Sequence, residues 1–224
     1  VKNYVNKIQS YWLADVSFVT LLVMLLCVVF VLPIVMATSN QGILLFNVLL
    51  LSVFLSGAFS TNNKWLIFIS VTLFSIHLGL RVIRFGDNPY SYYVLENLIA
   101  IANTILFIII NLKLLFRDYS INAYRVIGAV NVYLLLALMG ALTLEVIHST
   151  TGESIAGNVA LQGNDIDYVH FIYFSLSSLT TVGFGDIYPV NIFTKMLATF
   201  LSVMGVLFPA VIIARLLGMA SIEK

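Results

Sequence analysis

The run Thr180-Thr181-Val182-Gly183-Phe184-Gly185-Asp186 is the stretch whose residue types point to chemistry of its own. Glycines at alternate positions take backbone conformations closed to residues with a Cβ. Such a run can turn successive carbonyl oxygens to one side, and a row of carbonyls can replace the water shell of a cation. Other chemical candidates are sparse. His148 and His170 lack a third ligand at metal spacing, so surface or packing roles are expected of them. The single cysteine, Cys27, excludes an intrachain disulfide and a cysteine-only metal cluster. No nucleotide-binding signature or catalytic-triad spacing occurs, so neither an enzyme nor an organic cofactor is expected.

The elements around this run must hold it at depth. Tyr168–Leu179 is apolar for twelve residues, roughly 18 Å of helix. That is too short to cross a bilayer and predicts a re-entrant half-helix, with Asp165 or Asp167 capping its start. The preceding His148–Asp167 is polar and glycine-containing and reads as an extracellular turret. Irregular backbone at membrane depth is tolerated only where protein buries it or where it lines a watery cavity.

The rest of the chain is built for lipid. Of 224 residues, 61% are hydrophobic and 9% charged, against about 45–50% and about 25% in a soluble domain. A water-soluble enzyme, a disordered chain and a coiled coil are thereby excluded, and a net charge of +1 offers nothing to nucleic acid. No charge falls between Val16 and Asn63, and the polar break Thr38-Ser39-Asn40-Gln41-Gly42 divides that run into Val16–Ala37 and Gly42–Phe59. Further uncharged stretches lie between Lys64 and Arg81, Glu96 and Lys113, Arg125 and Glu145, and Lys195 and Arg215. A crossing takes about 20 apolar residues, and Arg81, Arg84, Lys113 and Arg117 can snorkel to lengthen the shorter stretches. The expectation is an all-α membrane protein of six transmembrane helices plus a re-entrant helix and loop. The first span is too long for a signal peptide and lacks a cleavage site.

Six crossings put both termini on one side. With the termini cytoplasmic, Lys2, Lys7, Lys64, Lys113, Arg117, Arg125, Arg215 and Lys224 lie inside and only Arg81, Arg84 and Lys195 outside, as the positive-inside rule asks. The cell membrane is the expected location, with Trp12 and Trp65 as interfacial anchors. The chain ends soon after the sixth span, which leaves two expectations: a minimal protein, or one with a cytoplasmic regulatory domain outside these residues.

The half-helix followed by Thr181-Val182-Gly183-Phe184-Gly185-Asp186 resembles the tetrameric potassium channels, tightly over Asp167–Gly218 and loosely over the six-span plan. The resemblance implies that K+ is the permeant ion, bound by the carbonyls of Thr181, Val182, Gly183 and Phe184, with the Thr181 hydroxyl closing the innermost site. It implies that Gly183 and Gly185 permit the backbone shape and that Asp186 braces the filter, with Thr180 and Tyr173 in support. Tyr173 and Phe174 stand where relatives often carry tryptophans, and Ser177 where some carry a glutamate. One motif per chain, with one oxygen per layer from each chain, implies a homotetramer whose partners are its own copies and the lipid. A weakly selective cation channel and a subunit of a cation transporter are the alternatives.

On that resemblance, residues 118–224 form a pore domain and residues 1–117 a four-span sensor-like domain. The sixth span, about Ile192–Met219, carries Gly205 and Pro209, which are gate or hinge candidates and equally suit close packing. Ala198, Ser202 and Gly205 recur at helical spacing, which also suits close helix contact. The fourth span carries no charge between Glu96 and Lys113. Each charge crossing the field contributes about 2.3 kcal/mol per 100 mV, so strong voltage gating is not expected. His77, Arg81 and Arg84 share one face of the third span, either as an inverted sensing element or as interfacial anchors paired with Asp87 or Glu96. Glu145 either ties the fifth span to the pore loop or is solvated.

Overall fold

The computed structural model describes residues 2–39, 42–86, 92–117, 122–163 and 165–220. Asn40, Gln41, Asp87 and Lys224, each used in the sequence reading, lie outside the described residues. A short helix α1 (Lys2–Leu13) leads into α2 (Ser17–Thr38), α3 (Gly42–Phe59), α4 (Lys64–Gly86), α5 (Tyr93–Leu115) and α6 (Ala123–Thr151). After them come α7 (Tyr168–Leu179) and α8 (Ile192–Ala220). Six of these helices, α2 to α6 and α8, are long and apolar enough to cross a membrane. The chain is a multi-pass, mainly helical membrane protein.

Helices α4 and α5 run past the charges expected to bound them, so Arg81, Arg84 and Glu96 lie within helices. The α6 boundaries follow from its ends. Asn122 is extended and its side chain accepts from the Arg125 N–H at 3.0 Å, while Gly152 at φ +81 stops the helix.

Helix α2 contains a π-turn at Cys27–Val31, and Pro33 explains it. The Leu32 N–H bonds the Cys27 carbonyl, five residues back. In that register the next donor would be residue 33, which as proline has no N–H. The Val28 carbonyl is left without a helical donor, and the Tyr168 hydroxyl of α7 reaches it at 3.1 Å.

Helix α6 is the hub, packed against α2, α5, α7 and α8. Its most apolar window is 61% buried, whereas that of α8 is 11% buried. Helix α6 is thus a core helix, and α8 offers an open apolar face. Only residues 116–122 separate α5 from α6, so the fourth span packs on the fifth span of its own chain. At that end Asp15, before α2, takes bonds from Arg117 at 3.1 Å and Asn122 at 2.6 Å. The turret differs from the all-helical expectation: β1 (Ile155–Gly157) pairs antiparallel with β2 (Ile187–Pro189), Ala156 opposite Tyr188. Three-residue strands carry no periodicity, and their pairing depends on partners far apart in sequence.

Candidate functional site

Helix α7 is buried at Phe171, Ile172, Phe174, Ser175 and Leu179 between α6 and α8. The Ser175 hydroxyl bonds the Ala137 carbonyl of α6 at 2.7 Å, and Gly140 keeps that approach open. Neither Asp165 nor Asp167 caps α7, contrary to expectation. A 3-10 turn over Asp165–Asp167 precedes the helix, and each carboxylate is engaged elsewhere. Asp167 accepts from the Gln162 N–H at 2.9 Å and the Gly163 N–H at 2.6 Å, folding the turret back on itself. Asp165 meets Arg84.

Past Leu179 the chain turns sharply and runs back along its own helix. The Thr181 N–H bonds the Ser178 carbonyl at 3.1 Å, and the Val182 and Gly183 N–H groups share the Ser177 carbonyl at 3.1 and 3.3 Å. With the amides turned toward α7, the carbonyls are directed away from it. The φ angles alternate in sign: Thr181 at +58, Gly183 at +56 and Gly185 at +82 are positive, and Val182 and Phe184 between them are not. Alternation of this kind sets successive peptide dipoles on one side rather than on opposite sides. Thr181 carries a Cβ into a region where it is disfavoured, so local bonding must hold it there.

The Asp186 end of the run is braced on three sides. The Tyr173 hydroxyl donates to both Asp186 oxygens at 2.9 and 2.8 Å, and its ring stacks on Phe184 with centroids 6.1 Å apart. Partial desolvation and the Asp186 carboxylate both push the Tyr173 phenol above its ordinary pKa, so it stays a donor. The Asn158 N–H bonds the Asp186 carbonyl at 2.9 Å, and β1 pairs with β2 just beyond. Gly157, at φ +116, lies where a Cβ would strike that same carbonyl.

The Leu179 end is closed by α6 and α8. Ser202 donates to the Ser178 carbonyl at 2.9 Å and Tyr133 to the Leu179 carbonyl at 3.1 Å. Thr180 bonds back to the Leu176 carbonyl. Gly205 is the point of closest approach, because a Cβ there would run into the Leu179 carbonyl oxygen. Close packing therefore accounts for this glycine. Pro209 lies inside α8 and lines an apolar cavity of about 270 Å³ between α6 and α8, with Tyr133 and Phe208.

A second polar cluster was only half anticipated. Arg81 and Arg84 are buried, at 4% and 9% exposure, and do not snorkel. Arg81 pairs with Glu96, and Arg84 bridges Glu96 at 2.9 Å and Asp165 at 3.0 and 2.9 Å. Glu145 is buried rather than solvated and accepts from the Tyr93 hydroxyl, tying α6 to α5 instead of to the loop. His77, also buried, stands edge-on to Phe54 at 5.4 Å. Asp165 and Tyr93 were missed as partners. The signal was present: charges at the margins of apolar segments have to find counter-charges in the fold. Among the described residues no group of His, Cys, Asp and Glu could hold a metal ion.

Residues 127–221, from early in α6 to the end of α8, match the family model described as an ion channel. That match supports an ion channel family and passive ion conduction. No curated protein and no solved structure matches the chain.

Proposed function

We propose that the protein is a potassium-selective channel, conducting K+ passively through a homotetrameric filter formed by Thr181, Val182, Gly183, Phe184 and Gly185. The observation that carries this reading is the alternating backbone at Thr181, Gly183 and Gly185, with the amides tied to Ser177 and Ser178 and the carbonyls left free. Carbonyl oxygens in that arrangement replace the hydration shell of a cation as it enters. One strand supplies one oxygen per layer, so four copies around an axis complete each site. The apolar, exposed α8, with Phe193, Val206 and Val211 uncovered, supports assembly against copies or lipid. The carbonyl end of each α7 would add a favourable dipole for a cation below the filter.

Residues 118–224 act as the pore domain and residues 1–117 as a four-span domain without gating charges. Pro209 is the better gate candidate, since Gly205 is accounted for by contact with Leu179. The termini face the cytoplasm across the cell membrane. The deciding experiment is the reversal potential of purified protein in planar bilayers under opposed potassium and sodium gradients. A reversal potential that tracks potassium is expected; one that tracks neither ion would leave a weakly selective cation channel, and absent unitary current steps would leave a transporter subunit.

A further inference from the structure

We propose that the four-span domain is a fixed anchor for the start of α7, with Arg84 and Tyr168 as positioning residues of the carbonyl row. This rests on the filter reading above. The far end of α7 is held within the channel domain by Ser175, Ser202 and Tyr133. Its near end is held by the other domain. Arg84 of α4 grips both oxygens of Asp165 at 3.0 and 2.9 Å, just before α7 begins at Tyr168, while Glu96 of α5 holds the same guanidinium at 2.9 Å. Tyr168, the first residue of α7, donates to the Val28 carbonyl of α2 and packs on Phe46 of α3 with centroids 4.6 Å apart. All four membrane helices of residues 1–117 therefore converge on one end of one short helix.

That helix transmits what it receives. Its last turn supplies the Ser177 and Ser178 carbonyls that orient the amides of Thr181, Val182 and Gly183. A rotation or tilt at Tyr168 would be carried along twelve residues to those two carbonyls and so to the row itself. Both anchors are directional. The two-pronged guanidinium–carboxylate contact fixes an orientation that an ammonium cannot reproduce. The Tyr168 hydroxyl fills the one place where Pro33 leaves the first span without its own donor, so its loss strands a buried carbonyl.

The test uses the full chain reconstituted in planar bilayers, as Tyr168→Phe, Arg84→Lys and the double variant. Three readouts are compared with wild type: the potassium-to-sodium permeability ratio, K+ binding to the detergent-purified protein by calorimetry, and the unfolding temperature. Tyr168→Phe is expected to lower the ratio and the K+ affinity about fivefold, and Arg84→Lys about tenfold, with conductance–voltage curves unmoved. Wild-type ratio and affinity in both single variants would overturn the proposal. So would a shifted conductance–voltage curve with the ratio intact, which would make these ties part of a moving sensor. A fall in unfolding temperature alone, with ratio and affinity preserved, would reduce the contacts to general stability and equally overturn it. Should Arg84→Lys not assemble, Tyr168→Phe decides, since it removes a single oxygen. A wild-type protein that ignores the potassium gradient would sink the filter reading itself, a result separate from variants that equal wild type.

Discussion

Between α7 and Asp186 the polar groups that need partners are mostly backbone, and they are satisfied within 13 residues of chain: Val182 and Gly183 to Ser177, Thr181 to Ser178, Tyr173 to Asp186. Between α4, α5 and the turret they are ionised side chains, satisfied only across long stretches of chain, with 81 residues separating Arg84 from Asp165. The first arrangement is dictated by which conformations each residue can take; the second depends on where whole helices come to rest. Arg81, Arg84, Glu96 and Asp165 form one buried knot drawn from α4, α5 and the segment before α7.

The comparison can be broken most forcefully at that knot. Arg84→Gln leaves Glu96 and Asp165 buried with one guanidinium fewer, and removing one partner of a buried pair costs about 3–5 kcal/mol. A large fall in yield and unfolding temperature in detergent is expected; wild-type stability would mean the knot is dispensable. Gly205→Ala drives a Cβ into the Leu179 carbonyl and should cost about 1–3 kcal/mol through overpacking, read as a lower unfolding temperature. A variant as stable as wild type would reopen the hinge reading of this glycine.

Gly183→Ala sharpens the other side of the comparison. No atom crowds the added methyl, so the cost comes only from the positive φ of +56, about 1–2 kcal/mol per chain. The expected signature is lost potassium selectivity with little change in unfolding temperature, and intact selectivity would show that this segment is not the filter. Tyr173→Phe keeps the stack on Phe184 but removes the donor to Asp186. A penalty of about 1 kcal/mol is expected, measured as a small drop in the permeability ratio. The smallest effect is predicted for Lys113→Gln with Arg117→Gln. Lys113 is exposed, and Arg117 is engaged with Asp15 and the Leu13 carbonyl at the end of the span. The conductance–voltage curve should not move. A steep wild-type curve that flattened in this variant would place both residues in the field.

How far the sequence could be read depended on the range of each interaction. The helix expected over Tyr168–Leu179 has the same bounds as α7, because an apolar run bounded by Asp167 and the Thr-Gly segment leaves little choice. The apolar centres of the spans fall where expected, but α4, α5 and α6 run on past the charges expected to bound them. Three local expectations were replaced. Asp165 and Asp167 do not cap α7, because a cation and two amides compete for them. Arg81 and Arg84 do not snorkel, because acids from two other segments come to them. Glu145 turns to Tyr93 instead of the loop. The π-turn at Cys27–Val31 was not expected; Pro33 accounts for it once seen, and its use by Tyr168 joins a donor and an acceptor 140 residues apart.

Composition, charge placement and two alternate glycines determined by themselves that this chain lives in a membrane, how often its helices can cross, and where its backbone can leave helical geometry. These are consequences of desolvation and of steric limits on φ, which act residue by residue. Only the tertiary structure decided that Thr181 joins the glycines at positive φ, that Gly205 exists to let α8 touch Leu179, and which acids take the two buried arginines. Those outcomes hinge on distances between segments. A buried charge selects whichever counter-charge the packing brings within about 3 Å, and no spacing along the chain encodes that choice.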